Sequence, residues 1–241
     1  MASAPPQETV DVGRVLGRGL TALRDNFLPF LAVSLWLAGL PAFAVQYWTR
    51  SDWAALGNLL IWFIANVLLQ GVLVRSTVLH LSGRDADVGA SALLAVRLLP
   101  LLLVLSVLLS LMIGIGLVLL IVPGLMIYCA TIVAVPALIE ERSGIFGSIG
   151  RSRALTRDSR WQIFGLAVLL WIFGTVVQNL AARIADLAAT APADPLAAGV
   201  AIGIGTSLST MIGAVVVAAL YVELREVREG ASTSELADVF A

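Results

Sequence analysis

From Leu98 to Ile139 the chain reads LLPLLLVLSVLLSLMIGIGLVLLIVPGLMIYCATIVAVPALI, without one charged side chain. As one helix these roughly 40 residues, at about 1.5 Å each, would reach about 60 Å, twice the roughly 30 Å hydrocarbon thickness of a bilayer. Lipid is the solvent such a run calls for, and the run must double back inside it. Pro123 and Gly124 are the expected helix turn, because proline interrupts the helical ladder and glycine tolerates a reversal. That places a third span ending near Val122 and a fourth from Leu125 to Ile139. The fourth is short, so the turn can sit below the membrane surface, where protein or water must satisfy its backbone.

The rest of the 241 residues extends this pattern: 59% are hydrophobic and 13% charged, against roughly 25% charged in soluble domains. A first span is expected from Phe27 to Trp48, a second from Ala54 to Leu79, a fifth from Trp161 to Ala182 and a sixth from Leu196 to Leu224. The fold class is therefore all-α: a polytopic membrane protein with six transmembrane helices and two cytoplasmic interfacial amphipathic helices. Residues 1–26 form an N-terminal tail and interfacial helix. Residues 27–241 form the membrane domain, with the second interfacial helix at 143–159 and a cytoplasmic, helical tail at 225–241 whose Leu236, Val239 and Phe240 can dock. Met1 to Asp25 carries Pro, Glu, Asp and Arg before any apolar core, unlike a cleaved signal peptide.

The arginines orient the bundle. With both termini in the cytoplasm, the inner side holds Arg14, Arg18, Arg24, Arg75, Arg84, Arg97, Arg142, Arg151, Arg153, Arg157, Arg160, Arg225 and Arg228, leaving only Arg50 and Arg183 outside. Basic residues prefer the cytoplasmic side, and the asymmetry agrees with an even number of spans. All fifteen basic residues are arginine, which suggests a GC-rich bacterial genome and hence the bacterial inner membrane. The formal net charge of −1 speaks against nucleic-acid binding.

Ahead of the first span, Val12, Leu16, Leu20, Leu23 and Phe27 recur at helical spacing, the mark of an interfacial amphipathic helix. It either docks on anionic lipid or simply leads the chain into the membrane. Ser143 to Ser159 is a second such segment. Aligned without gaps, Leu16-Gly17-Arg18 matches Ile149-Gly150-Arg151 and Arg24-Asp25-Asn26 matches Arg157-Asp158-Ser159, as a parallel internal repeat would produce. Arg14, Arg18, Arg151, Arg153, Arg157 and Arg160 are the expected contacts to lipid headgroups or a partner.

Little in the spans can carry acid–base chemistry, so no enzyme is expected, with no metal and no cofactor. There is one histidine, His80, and one cysteine, Cys129, which reads as a small apolar filler. Glu140 and Glu141 are adjacent, so on a helix they diverge by about 100° and read, with Arg142, as a solvated helix end. Asn66 and Gln70 share a helical face that must turn away from lipid, with Gln178 or Asn179 as candidate partners across the bundle. That face is either a substrate path or interhelical hydrogen bonding. Small residues form three close-packing ridges: Gly199, Gly203 and Ser207; Gly205, Ser209 and Gly213; and Ser106, Ser110 and Gly114.

The segment from Leu117 to Leu166, with Pro123-Gly124, Pro136, Glu140, Arg151-Ser152, Leu155-Thr156 and Trp161, resembles the core of the bacterial glycerophosphoryl diester phosphodiesterase membrane-domain superfamily, which includes YciC-like membrane proteins. The end of the chain resembles that family too, through Tyr221, Leu224-Arg225, Glu229-Gly230 and Leu236 to Phe240. In the family's namesakes this membrane part is fused to a hydrolase domain, for which no segment here is left over. The resemblance implies a bacterial inner-membrane protein, not an activity. The leading expectation is a non-catalytic scaffold, accessory subunit or membrane-homeostasis factor whose partners are membrane lipids, other membrane proteins or itself. The alternative is a small transporter or lipid-handling protein built around Asn66 and Gln70. A mid-membrane cavity lined by those amides would favour the alternative, and a tightly packed bundle with its polar groups paired would favour the scaffold.

Overall fold

The computed structural model describes the backbone of residues 10–48, 52–85, 87–188 and 195–240, with side chains over 10–45, 53, 55–85, 87–187 and 196–229. Every regular element among them is helical. In chain order these are α1 (Val12–Asp25), α2 (Phe27–Ser34), a π-helical turn (Leu35–Gly39), α3 (Leu40–Trp48), α4 (Asp52–Leu81), α5 (Val88–Leu119), α6 (Ile121–Thr131), α7 (Ala134–Glu141), α8 (Gly144–Thr156), α9 (Arg160–Ala188) and α10 (Pro195–Phe240). Six stretches are long and apolar enough to cross a membrane, at Phe27–Val45, Ala55–Leu81, Val88–Leu119, Ile121–Glu141, Arg160–Leu187 and Leu196–Glu229. The protein is a multi-pass, all-helical membrane protein.

The long apolar run folds back, but not at Pro123-Gly124. The break is the single residue Leu120, extended at φ −159° and ψ 132°. Pro123 lies in the first turn of α6, where a missing N–H costs nothing because the first helical N–H groups lack an intrahelical partner anyway. Gly124 serves packing instead. A Cβ there would stand 2.5 Å from the Leu117 backbone nitrogen, so only glycine lets α5 and α6 approach this closely. Val118, Leu119, Leu120, Ile121 and Val122 are all at least two-thirds exposed at the tip, an apolar surface that belongs in lipid. The turn's backbone is partly self-satisfied, Leu120 N donating to Gly116 O at 3.0 Å and Gly124 N to Leu120 O at 3.3 Å. The third span also starts earlier than expected, at Val88 rather than Leu98, because the Asp87 side chain caps α5 by accepting from Gly89 N and Ala90 N.

Helix α10 is the spine. Its 46 residues would reach about 69 Å, so it runs on past the lipid as the helical tail expected over 225–241. The expected docking of Leu236, Val239 and Phe240 lies outside the described residues. The first small-residue ridge on α10 packs against a neighbour throughout, the second only at Gly205, since Gly213 meets nothing within contact distance and lines a cavity. Gly199 and Gly203 meet Phe43 and Gly39 of the first span, and the Ser207 hydroxyl donates to Ser34 O at 3.2 Å. Gly205 meets Ala181 and Gln178 of α9. The third expected ridge does not pack this way, since Gly114 faces open space and Ser106 and Ser110 line a cavity.

Helix α1 packs against α10 on a face rotated from the expected stripe. Val15, Gly19, Ala22 and, from the expected stripe, Leu23 are buried and Val12 and Leu16 partly so, whereas Leu20 is 68% exposed and Phe27 44%. Gly19 faces Val216 and Ala219 of α10, where even a Cβ would stand at ordinary van der Waals distance.

Candidate functional site

Two polar regions stand out, one at the arginine-rich end of the bundle and one at its middle. At the end, ion pairs knit the helices together. Glu223 of α10 is fully buried and sits 3.1 Å from both Arg14 and Arg18 of α1. Neither contact has hydrogen-bond alignment at the Glu223 oxygens, so charge rather than directed bonding holds this cluster. Arg18 also donates to Glu226 at 2.7 Å, and Arg151 of α8 to Glu141 at 2.8 Å and Glu229 at 2.7 Å. The hydrogen bond to Glu226, opposed by partial desolvation, raises the Arg18 pKa, and the bond to Glu141 raises that of Arg151. Both guanidiniums therefore stay charged at any working pH.

Glu140 and Glu141 are not free at their helix end, although Glu141 and Arg142 are exposed there as expected. Glu140 accepts two hydrogen bonds from Arg75, at 2.7 and 2.8 Å, and Glu141 accepts from Arg151 and from the Tyr221 hydroxyl at 3.0 Å. Arg228 pairs with Asp158, and His80 stands 3.1 Å from Asp25. Of the six arginines expected at headgroups or a partner, Arg14, Arg18 and Arg151 are thus engaged by glutamates of the same chain. Arg153 and Arg157 are exposed and Arg160 half-buried, with no ion pair among the described residues.

The middle of the bundle is different. Helices α4, α5, α6, α7, α9 and α10 line a cavity of about 580 Å³ that opens to one side of the bundle. Trp62, Asn66 and Gln70 follow one another at four-residue spacing along its α4 wall, and Asn66 stands near the centre of that helix. Ser106 and Ser110 face it from α5, Tyr128 and Thr131 from α6, Trp171 from α9 and Thr210 from α10. The two threonine hydroxyls donate back to their own helices, at 2.7 Å each, to Ile127 O and Thr206 O. The Asn66 amide nitrogen donates to Trp62 O at 3.2 Å. The side chains of Gln70, Ser106, Ser110 and Tyr128 make no hydrogen bond among the described residues; all four line the cavity, with Gln70, Ser110 and Tyr128 exposed.

The four amides do not form one face. Gln178 donates to Thr206 at 3.1 Å and Asn179 to Thr175 O at 2.7 Å, both away from Asn66 and Gln70. The reason is position along the axis: Ala167, Leu170 and Trp171 are the α9 residues on the cavity, and Gln178, on nearly the same face as Trp171 but about 10 Å further along, packs beside Gly205 of α10. Tyr128, Trp62 and Trp171 were missed as lining residues, because an aromatic in an apolar run has no pattern that separates cavity from lipid. Among the described residues, no group of three or more His, Cys, Asp or Glu side chains could hold a metal ion. Cys129 is buried. Compared with protein-family models, with curated proteins and with solved structures, the chain matches none.

Proposed function

We propose that this is a lipid-handling protein or small transporter that holds an uncharged, amphipathic molecule at mid-membrane. One observation carries the reading: the cavity of about 580 Å³ walled by Asn66, Gln70, Ser106, Ser110 and Tyr128. Unpaired amides and hydroxyls in hydrocarbon are costly, so their clustering on one cavity favours a polar occupant, water or ligand. The wall has no charged side chain, which selects against ions and favours neutral hydrogen-bonding groups joined to an apolar body. Trp62, Phe63, Leu109 and Trp171 supply the apolar contact for that body. The wall also lacks any carboxylate or imidazole, which supports a binding rather than a catalytic role. The arginine asymmetry supports cytoplasmic termini, and the composition supports a bacterial inner membrane.

The test is purification from native membrane into nanodiscs, followed by mass spectrometry of what remains bound. A defined small molecule or lipid should accompany the wild-type protein and be depleted at least tenfold in an Asn66→Leu, Gln70→Leu variant. Fixed-ratio co-purification of other membrane proteins, with no small molecule sensitive to those substitutions, would replace this reading with the scaffold.

A further inference from the structure

Beside the ion-paired end lies a second pocket, of about 270 Å³, formed where α4, α5 and the turn between α7 and α8 converge. Three arginines line it: Arg75 of α4, Arg97 of α5 and Arg142 of the turn. Arg75 is neutralised by Glu140, but Arg97 and Arg142 have no ion pair among the described residues, so the pocket keeps two uncompensated positive charges. Ser91, only 1% exposed, lines the same wall with its hydroxyl buried and unpartnered. A buried hydroxyl without a partner is costly unless something else bonds it.

Arg142 adds an independent observation. It is the one non-glycine residue with positive φ among the described residues, at 50°, and it ends α7 in the left-handed conformation. Glycine is the usual occupant of that position, because a Cβ there is strained. An arginine held in this backbone conformation, with its side chain on a basic pocket, fits a residue retained for what it binds. The remaining wall is apolar: Leu79, Leu93 and Leu94, with Leu93 56% exposed.

We infer that this pocket binds the phosphate of an anionic phospholipid, with Arg97, Arg142 and the Ser91 hydroxyl on the phosphate oxygens and the leucine wall along the first carbons of the acyl chains. Arginine and hydroxyl donors suit phosphate oxygens, and two net charges favour an anionic headgroup over a zwitterionic one. The leucine wall separates a lipid from a free phosphate, which gains nothing from it. This site is independent of the mid-membrane cavity, sharing none of its lining residues.

The experiment is native mass spectrometry of the intact chain titrated with phosphatidylglycerol or phosphatidylcholine, repeated with inorganic phosphate as competitor. One phosphatidylglycerol should bind at least tenfold more tightly than phosphatidylcholine, more weakly as salt rises, and resist millimolar inorganic phosphate. Arg97→Gln and Ser91→Ala should each weaken it. Arg142→Gly, which relieves the backbone and so keeps the fold, should weaken it at least tenfold, while Arg183→Gln, at an exposed arginine of α9, leaves it unchanged. Wild-type affinity in Arg142→Gly and Arg97→Gln, or no preference for phosphatidylglycerol, would overturn the site. Displacement by inorganic phosphate would overturn the lipid in favour of a soluble anion.

Discussion

The arginine-rich end and the middle of this bundle hold polar groups under opposite rules. At the end, Arg14, Arg18, Arg75 and Arg151 each find a glutamate of the same chain within 3.1 Å. At the middle, the side chains of Gln70, Ser106, Ser110 and Tyr128 find no partner among the described residues. Paired polar groups hold helices together, whereas unpaired ones raise the free energy until water or a ligand meets them. The difference separates architecture from binding: the end is cross-linked, and the middle is left open.

That contrast breaks most sharply at Glu223. Arg18→Gln strands a buried carboxylate with only the half-exposed Arg14 and should destabilise the protein by about 3 kcal/mol in detergent unfolding. Adding Glu223→Gln should recover most of that loss, since no buried charge is then left uncompensated. A cost for Arg18→Gln under about 0.5 kcal/mol would mean the end is not cross-linked by these pairs.

A smaller effect of opposite sign is expected at the cavity. Gln70→Leu should leave stability unchanged or raise it by up to about 1 kcal/mol, because it removes an amide that no described residue satisfies. A loss above about 1 kcal/mol in the same assay would make Gln70 structural and erase the contrast. Smallest of all, Arg153→Gln with Arg157→Gln should move stability by no more than about 0.5 kcal/mol, since both side chains are exposed and unpaired among the described residues. If these two arginines meet anionic lipid, the pair of changes should still lower binding to anionic liposomes at low salt.

Much of this fold was legible because lipid enforces simple rules. Span lengths follow from hydrocarbon thickness, and five of the six spans begin within about four residues of the expected positions. The third begins ten residues early, at Val88, because a side-chain cap at Asp87 sets a helix start that hydropathy does not register. The turn at Leu120 was missed for a related reason. Pro and Gly mark places where helices can end, but proline is equally at home in a first helical turn and glycine equally at home in a close helix crossing. Glu140 and Glu141 were misread because their partners, Arg75, Arg151 and Tyr221, lie up to 80 residues away.

The sequence by itself determined the solvent, the helical class and the span count, since each depends on composition and on lengths counted along one chain. It also determined that Asn66 and Gln70 share a face, which four-residue spacing guarantees on any helix. Only the tertiary structure decided what that face meets. Whether a polar side chain is paired or faces a cavity depends on the rotation and tilt of helices from distant parts of the chain, and hydropathy is blind to both. The same holds for Arg142, whose left-handed backbone and basic neighbours exist only once α4, α5 and the α7–α8 turn have come together.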